Sequence, residues 1–376
     1  MLNLGVIGCG KRASHIVKLL TDSGSVRLCA IADKRGDELK KLVEEQGFTC
    51  VKYYNDAKDM LENEDLDGVI IGTRCDSHTD YAELVASYSL PMFLEKPVCV
   101  VEKDLARLEA LVKEMNDKTV VSFPLRVSNM LLKIKEIVDS GEIGKIEHIQ
   151  AYNNVTYGRG YYHKWFREEA VTGGQFLQKA THDLDYINFL LGENKPIRIC
   201  AMKSQQIFGG NEESGKLCSE CEKADQCPES PKNLKKNNLL INGDHCCFAK
   251  DVTIEDSGSV LVEYESGMHV VYSQNFVVRN SAGKRGARLI GFLGTLEFDW
   301  VSGKITVYRH FEHLNHEYTF PKREGHFGGD EMLTENFISV MKGEKKSIAP
   351  LSEGILSARM CLAAKRSSEE HIFVDI

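Results

Sequence analysis

The chain has 376 residues, of which 42% are hydrophobic and 27% are charged, and its formal net charge at pH 7 is −8. These values are typical of a globular protein of two domains, and the negative charge argues against a general nucleic-acid partner. No apolar run reaches the length of a membrane span and the first residues show no secretion signal, so we expect a cytoplasmic protein with no membrane partner. In that compartment the 12 cysteines are expected to be free thiols or metal ligands.

The first stretch of the chain predicts a nucleotide-binding unit. A short apolar run leads into the pattern Gly8-x-Gly10-x-x-Ala13 and then into a helical pattern. Gly8 permits a tight turn, Gly10 lets the backbone approach a pyrophosphate, and Ala13 lets the helix lie close to the strand. A second apolar run ends at Asp33, whose carboxylate can accept a hydrogen bond from the 2′-OH of the NAD ribose. Because Lys34 follows and can pair with a 2′-phosphate, NADP stays possible; a βαβ unit that binds nothing is the alternative.

The order of strand and helix patterns predicts two domains. Strands and helices alternate up to about residue 122, which indicates an N-terminal Rossmann domain over 1–122 with a doubly wound parallel sheet. Runs of strands follow, which indicate a substrate-binding and oligomerisation domain over 123–376, of α+β type, with a large open, mostly antiparallel sheet. A polar, cysteine-bearing insertion occupies about 209–250. Because few helices cover this sheet, we expect an apolar face that forms a homodimer or homotetramer.

A lysine ends one of the predicted parallel strands. Glu95-Lys96-Pro97 follows an apolar run, and ligands of doubly wound sheets bind outside the carboxyl ends of the strands. A positively charged nicotinamide would lower the pKa of Lys96 and make it a proton acceptor. A solvated lysine at a strand end is the alternative.

A histidine on a later predicted helix is a second candidate for proton transfer. Gln178, Lys179 and Asp185 are spaced by three or four residues from His182, which predicts a shared helix face. Histidine can relay a proton to or from a substrate hydroxyl. The alternative is a buried histidine that hydrogen-bonds its neighbours.

Two aromatic or glycine-rich stretches are candidates for the substrate cleft. The first spans residues 157–165 and includes Tyr157, Arg159 and Trp165; the second spans 325–330 and includes His326. Aromatic faces stack on sugar rings, while arginine and histidine bind hydroxyls. Core aromatics and a glycine-rich start of a helix are the alternatives.

The cysteine-bearing insertion predicts a metal site. Cys218, Cys221 and Cys227 have the spacing Cys-x2-Cys-x5-Cys, and the pair Cys246-Cys247 follows. This spacing suits a tetrahedral thiolate site such as structural zinc, which would order a segment with few apolar residues. An iron–sulfur cluster uses the same ligands, and unpaired thiols are the remaining alternative.

Three signals, in order along the chain, resemble the Gfo/Idh/MocA oxidoreductases. They are the N-terminal Gly-x-Gly-x-x-Ala, Glu95-Lys96-Pro97, and Gly173-Gly174 before a helix with His182-Asp183-Leu184-Asp185. The resemblance covers essentially the whole chain. It implies a Rossmann domain, an α/β domain with an open antiparallel sheet, and NAD or NADP as cofactor. It also implies a carbohydrate substrate, a sugar or cyclic polyol, in which a hydroxyl-bearing carbon exchanges hydride with nicotinamide.

The same resemblance assigns roles to individual residues. It implies Lys96 and His182 as the catalytic pair, and Cys247 as the fourth ligand beside Cys218, Cys221 and Cys227. The cofactor-binding set is Gly8, Gly10, Lys11, Arg12, Ala13, Asp33, Lys34, Thr73, His78, Glu95 and Lys96. The substrate-binding set is Tyr157, Arg159, Trp165, Gln178, Lys179, Asp185 and His326.

One departure from the family pattern keeps other activities open. Many family dehydrogenases carry aspartate four residues before the histidine, where this chain has Gln178, which does not ionise. Relatives with other chemistry cleave glycosidic bonds with bound NAD through a transient 3-keto sugar. A non-catalytic nucleotide-binding regulator is the third reading of the sequence.

Overall fold

The computed structural model describes residues 1–45, 47–237, 239, 243–321 and 324–376, without the side chains at 37, 42, 159 and 324. Two compact units divide the chain. The first comprises Met1–Lys133, Leu184–Tyr186 and Arg323–Arg359, and the second comprises Ile134–Asp183, Ile187–Lys322 and Met360–Ile376. The boundary predicted at residue 122 stays a prediction, because these units also group residues from the C-terminal part of the chain with the N-terminal part.

Strands and helices alternate in the N-terminal part of the chain. The elements are β1 (Leu2–Ile7), α1 (Lys11–Asp22), β2 (Val26–Ala32), α2 (Asp37–Glu45), β3 (Lys52–Tyr54), α3 (Ala57–Asn63), β4 (Gly68–Ile71), α4 (His78–Ser87), β5 (Met92–Leu94), α5 (Lys103–Met115), β6 (Thr119–Val121) and α6 (Asn129–Asp139). Six strands form one parallel sheet in the order β3-β2-β1-β4-β5-β6. This is the doubly wound order, and it confirms the predicted Rossmann fold.

Two glycines let α1 pack closely on the sheet. Gly8 has a φ of +78°, and a Cβ there would lie 2.8 Å from the Thr73 backbone nitrogen. At Gly72, a Cβ would lie 2.6 Å from the Ala13 Cβ and 2.8 Å from the Gly8 carbonyl oxygen. A side chain at either position would therefore push α1 away from β4. The close packing predicted for Ala13 depends equally on Gly72, which the sequence analysis did not single out.

The rest of the chain is rich in strands. Its elements are β7 (Ile146–Asn154), α7 (Glu169–Thr172), α8 (Thr181–Leu191), β8 (Pro196–Ser204), α9 (Pro231–Lys236), β9 (Ser257–Tyr264), β10 (His269–Asn275), β11 (Lys284–Gly291), β12 (Gly294–Asp299), β13 (Lys304–Arg309), β14 (Asn315–Thr319), α10 (Glu324–Met341), α11 (Leu351–Glu370) and β15 (Val374–Asp375). Nine strands form one sheet in the order β14-β13-β12-β11-β7-β10-β9-β8-β15. Its neighbours are antiparallel except β7 and β10, which confirms the mostly antiparallel sheet.

Helix α10 covers part of the Rossmann sheet. Phe337 of α10 meets Phe93 of β5 edge to face, with ring centroids 5.8 Å apart. A Cβ at Gly68 on β4 would lie 2.6 Å from the Met341 sulfur, so this helix lies directly against the sheet. The sequence analysis assigned these residues to the second domain, because the periodicity of a segment does not reveal a distant packing partner.

The open face of the nine-stranded sheet is mixed in polarity. Leu261 of β9 and Val271 of β10 are 39% and 41% exposed. Three polar residues are exposed as well: Ser259 of β9, Ser273 of β10 and Gln150 of the adjacent β7. This corrects the expectation of an apolar face, while the homodimer or homotetramer stays a prediction. Among the described helices, none has the length and apolarity needed to cross a bilayer.

Candidate active site

The loop between β1 and α1 fits a dinucleotide. Helix α1 begins at Lys11, Gly10 is its N-cap, and no side chain caps its first turn. A Cβ at Gly10 would have only the Gly72 carbonyl oxygen nearby, at 3.9 Å, so the backbone there is open to a close approach. Lys11 is exposed beside this end. Backbone N–H groups at a helix N-terminus bind phosphate, and these residues therefore fit the pyrophosphate of a dinucleotide.

The carboxylate of Asp33 is held in place at the end of β2. Its Oδ2 accepts a hydrogen bond from the Cys9 backbone N–H at 2.9 Å, and its Oδ1 accepts one from the Arg35 backbone at 3.0 Å. The Arg35 side chain also forms an ion pair with this carboxylate, with Nη2 2.6 Å from Oδ2. Burial works to raise the pKa of Asp33, but the hydrogen bonds from Arg35 and Cys9 outweigh it and lower that pKa. Asp33 is therefore a fixed anion of the kind that accepts a ribose hydroxyl hydrogen bond.

A cavity of about 180 Å³ lies beside Asp33. Its wall includes Leu39, Lys40 and Tyr53. Lys34, which was predicted to contact the cofactor, is exposed nearby in sequence. The lining combines apolar and aromatic residues, such as Leu39 and Tyr53, with polar residues, such as Lys40, and this combination suits the adenosine end of a dinucleotide.

Arg12 and Glu95, both predicted to bind cofactor, are paired with each other. Arg12 Nε donates to Glu95 Oε1 at 3.2 Å, and Arg12 Nη2 donates to Asp330 Oδ1 at 2.5 Å. His326 Nδ1 lies 2.9 Å from Asp330 Oδ2. Burial works to raise the pKa of Asp330, but His326 and Arg12 outweigh it and lower that pKa. The structure thus places His326, predicted to bind substrate, in a charged network of the first unit.

Three predicted residues meet around a buried histidine. His78 Nδ1 lies 2.7 Å from the Pro97 carbonyl oxygen, and its Nε2 lies 3.2 Å from the Thr73 carbonyl oxygen. Burial lowers the pKa of His78, so the ring is neutral and donates one hydrogen bond, and the shorter distance marks Pro97 as its acceptor. Lys96 is half-buried next to Pro97. His78 therefore ties the Thr73 loop to the Lys96-Pro97 loop.

In the second unit, Lys179 lies among aromatic rings. Its Nζ donates to the Tyr157 hydroxyl at 2.7 Å and lies 4.5 Å and 5.2 Å from the ring centroids of Tyr157 and Tyr161. Lys179 is 7% exposed, whereas Tyr157 is 47% exposed. Desolvation works to raise the pKa of Tyr157, but the Lys179 ammonium outweighs it and lowers that pKa. Trp165, another predicted substrate residue, stacks on Phe166, with the ring centroids 3.9 Å apart.

The helix that carries His182 begins irregularly. Phe176–Ala180 forms a π-helical turn that runs directly into α8, and Gly174 before it has a φ of +95°. Gln178 and Lys179 therefore lie on a wider turn than the α-helix assumed in the sequence analysis. Gln178 is buried, its Nε2 3.5 Å from the Thr172 carbonyl oxygen, and His182 is half-buried at the start of α8. Such turns occur often at functional sites.

Asp183 is the functional candidate that sequence analysis missed. It is fully buried, and it accepts hydrogen bonds from Asn153 Nδ2 at 2.8 Å and the Tyr272 hydroxyl at 2.9 Å. Arg285 Nε also donates to it, at 2.8 Å. These partners come from β7, β10 and β11, so Asp183 fixes the start of α8, and with it His182, to the sheet. Its place directly after His182 was the only signal in the sequence.

Other predicted substrate residues are less accessible or not described. Asp185 is 1% exposed and bonded to Arg126, with Oδ1 2.7 Å and Oδ2 3.2 Å from the guanidinium. Burial raises the pKa of Asp185 to about 7 against the opposing effect of Arg126. The Arg159 side chain lies outside the described residues. Substrate contacts of these residues stay predictions.

Cys218 and Cys247, two of the predicted metal ligands in the insertion, have different surroundings. Cys218 lies against the segment that ends in Cys246, because its N–H donates to the Asp244 carbonyl oxygen at 2.6 Å. Burial, and after it the nearby Cys246, raises the pKa of Cys218 to about 12. Cys247 instead packs among apolar residues that include Tyr162 and Phe208. Within the described residues, no three of the predicted ligand sulfurs lie within 4.8 Å of one another, so the predicted site of Cys218, Cys221, Cys227 and Cys247 stays a prediction.

Two family models match successive parts of the chain. Residues 2–123 match the model described as "Oxidoreductase family, NAD-binding Rossmann fold". Residues 131–297 match the "GFO/IDH/MocA C-terminal domain". Both belong to the same family, and together they span both the parallel and the antiparallel sheet.

Curated relatives agree with the family models. The chain is 28% identical to a putative oxidoreductase YteT of Bacillus subtilis over 310 residues, which are 72% of this chain and 71% of that protein. It is 27% identical to a myo-inositol 2-dehydrogenase of Thermotoga maritima over 197 residues, 51% of this chain and 55% of that protein. The chain thus spans about half the length of that dehydrogenase.

Solved structures share the fold over the whole chain. A levoglucosan dehydrogenase, solved in complex with NADH and levoglucosan, has a TM-score of 0.76 at 16% identity, covering 100% of this chain and 99% of that one. A myo-inositol 2-dehydrogenase from Lactobacillus plantarum has a TM-score of 0.74 at 18% identity, again covering 100% and 99%. With both domain models matched in order, the chain belongs to the Gfo/Idh/MocA family and is an NAD(P)-dependent dehydrogenase or reductase.

Proposed function

We propose that this enzyme exchanges hydride between NAD(P) and a hydroxyl-bearing carbon of a sugar, sugar derivative or cyclic polyol. The observation that carries the proposal is the β1–α1 loop, where an uncapped helix N-terminus and the open backbone of Gly10 lie beside the Cys9 N–H that hydrogen-bonds the fixed carboxylate of Asp33. The substrate class rests on relatives that are named as inositol and levoglucosan dehydrogenases.

The residues of the first unit have distinct roles in this proposal. The nicotinamide ring supplies the hydride acceptor or donor when the cofactor is bound. Backbone N–H groups at the start of α1 bind the pyrophosphate, and Asp33 accepts a hydrogen bond from the ribose. Lys96 takes the proton of the reacting hydroxyl, and His78 holds the loop of Lys96 in place through Pro97.

The second unit supplies the carbohydrate-facing groups. Tyr157, Tyr161 and Trp165 offer aromatic faces for the apolar side of a sugar ring. The Lys179 ammonium lies against the first two of these rings and can donate to a hydroxyl. His182 shares the proton transfer, and Asp183 acts as a positioning residue because its three hydrogen bonds fix the helix beside it.

We propose NAD as the preferred cofactor. A 2′-phosphate would be repelled by Asp33, whose pKa is lowered and which therefore stays ionised at neutral pH. Arg35 already pairs with Asp33, so a rotation of its guanidinium toward a 2′-phosphate is the route by which NADP would bind.

The test is a product-resolved assay on a panel of sugars, glycosides and cyclic polyols, each with NAD, with NADP and without added cofactor. We expect one member to be oxidised with stoichiometric formation of NADH. Glycosidic bond cleavage without net NADH would instead support a hydrolytic enzyme with tightly bound NAD. Tight nucleotide binding with no turnover of any member would support the regulator.

A further inference from the structure

Three potential metal ligands converge in the second unit. They are His163, Glu229 and Cys247, and one ligand atom of each lies within 4.8 Å of the other two. In the part of the chain that the structure describes, this is the only such group of three. We call it the His-Glu-Cys cluster.

Backbone contacts hold the cluster together across a large sequence separation. The His245 N–H donates to the His163 carbonyl oxygen at 3.4 Å. A Cβ at Gly243 would lie 2.2 Å from the same oxygen, so this segment can approach His163 only with glycine there. Glu229 comes from the turn before α9, whose N-cap is Ser230. The cluster therefore joins three separate stretches of the chain.

The second ring nitrogen of His163 and one carboxylate oxygen of Glu229 face each other. His163 Nδ1 lies 2.7 Å from the His245 carbonyl oxygen, so it donates its N–H there, and Nε2 is the nitrogen left to face Glu229. Neither this Nε2 nor Glu229 Oε2 has a hydrogen-bond partner in the described structure, and the two atoms are 3.7 Å apart. Metal-bound histidines commonly donate their second N–H to a backbone carbonyl in this way.

The surroundings bury the cluster and fix its charge. His163 and Cys247 are 2% and 1% exposed. Cys247 packs in an apolar group with Tyr162 and Phe208. Glu229 Oε1 is bound by Arg279 at 2.8 Å, which leaves Oε2 for the cluster. A buried pair of acceptors is costly without a cation or proton between them.

We propose that the His-Glu-Cys cluster binds a divalent metal ion of the zinc class through His163 Nε2, Glu229 Oε2 and the Cys247 thiolate. Nitrogen, oxygen and sulfur donors of this kind are those that zinc takes, and tetrahedral zinc ligands lie roughly 3.3 to 3.6 Å apart, as follows from its bond lengths. The His163 Nε2–Glu229 Oε2 separation of 3.7 Å is close to that value, and the Cys247 sulfur lies within 4.8 Å of both atoms. Burial makes the role structural: the ion joins the insertion to the segment of His163.

This assignment moves Cys247 out of the thiolate set predicted from the sequence. After burial, the neighbour that most raises the pKa of Cys218 is Cys246, whereas for Cys247 it is Glu229, ahead of Cys246, Cys227 and Cys218. The two arrangements therefore predict different results when single cysteines are replaced.

The test is metal analysis of the untagged full chain after loading with Zn²⁺ and gel filtration. We compare the wild type with His163→Gln and Cys247→Ser, and use Cys200→Ser as the matched control, a half-buried cysteine outside both sets. Each cluster variant is expected to lose about one metal ion per chain, the load of a single site, and the control none. Full retention of metal by folded His163→Gln overturns the proposal.

Two further measurements cover variants that fail to fold. Glu229→Gln keeps the size of a partly exposed side chain, and it is expected to bind Co²⁺ more weakly while its circular dichroism stays unchanged. The Co²⁺-loaded wild type is expected to show sulfur-to-cobalt charge-transfer absorption. The same absorption is expected to survive, or to weaken only a little, in Co²⁺-loaded Cys218→Ser. A band that disappears in Cys218→Ser and persists in Glu229→Gln overturns the assignment, as does wild type that binds neither ion.

Discussion

The most informative stability test is the replacement of Asp183 by alanine. Asp183 is fully buried, and three donors from three strands end on its carboxylate: Asn153, Tyr272 and Arg285. Removal takes away the buried carboxylate that forms an ion pair with Arg285, whose side chain is only 15% exposed. Breaking a buried ion pair in this way costs about 3 to 5 kcal/mol. For a unit of this size, that loss corresponds to a fall in Tm of roughly 6 to 20 °C.

The chain offers a matched control for this experiment. Asp375 pairs with Arg198 at 3.0 Å, but the two side chains are 80% and 50% exposed. Because solvent screens that pair, Asp375→Ala should leave the Tm unchanged within experimental scatter. Thermal unfolding of both variants by circular dichroism makes the comparison. Equal Tm values for Asp183→Ala and wild type would refute the argument, as would equal losses in the two variants.

Four further predictions address the site and the assembly. Lys96→Ala and His182→Ala are each expected to lower turnover by about two to four orders of magnitude with cofactor binding retained, and near wild-type rates would exclude that residue from proton transfer. Asp33→Ala should raise the dissociation constant of NAD by about 10- to 100-fold, which is the value of a hydrogen bond to a charged group, and should raise that of NADP by a smaller factor. Calorimetric titration of the variant and the wild type with each cofactor measures both constants. Burial raises the pKa of Asp185 to about 7, so the folded state holds a proton that the unfolded state releases near pH 4. The Tm advantage of wild type over Asp185→Asn should therefore shrink between about pH 4 and pH 7, and a constant difference would contradict this. Light scattering should show a dimer or tetramer at micromolar concentration; a monomer would refute the predicted assembly.

Local sequence signals were enough to predict the Rossmann part. The turn at Gly8 and the small residue Ala13 lie within one βα unit, so their meaning depends on close neighbours in sequence. The alternation of strands and helices, which is also a local pattern, predicts a parallel sheet. Gly72 was missed, because its need for glycine comes from Ala13 of α1 and from Gly8, both distant from it in sequence.

Contacts between distant segments could not be read from the sequence. The pairing of Arg12 with Asp330 joins residues that are 318 positions apart. Spacing by three and four assumes an α-helix, whereas a π-helical turn precedes His182. The Cys-x2-Cys spacing drew attention to Cys218, whereas the potential ligands that lie within 4.8 Å of the Cys247 sulfur include a histidine and a glutamate from other stretches of the chain.

The central claim is net hydride transfer between the cofactor and a carbinol carbon. The direct measurement uses NADH in which both hydrogens at nicotinamide C4 are replaced by deuterium, together with the ketone form of the substrate found in the panel assay. We predict one deuterium per molecule of reduced product, attached to the carbinol carbon, and label transfer that is slower by about two to four orders of magnitude with Lys96→Ala. Product that forms without label, or cleavage of a glycosidic bond with the labelled NADH unconsumed, would contradict the account.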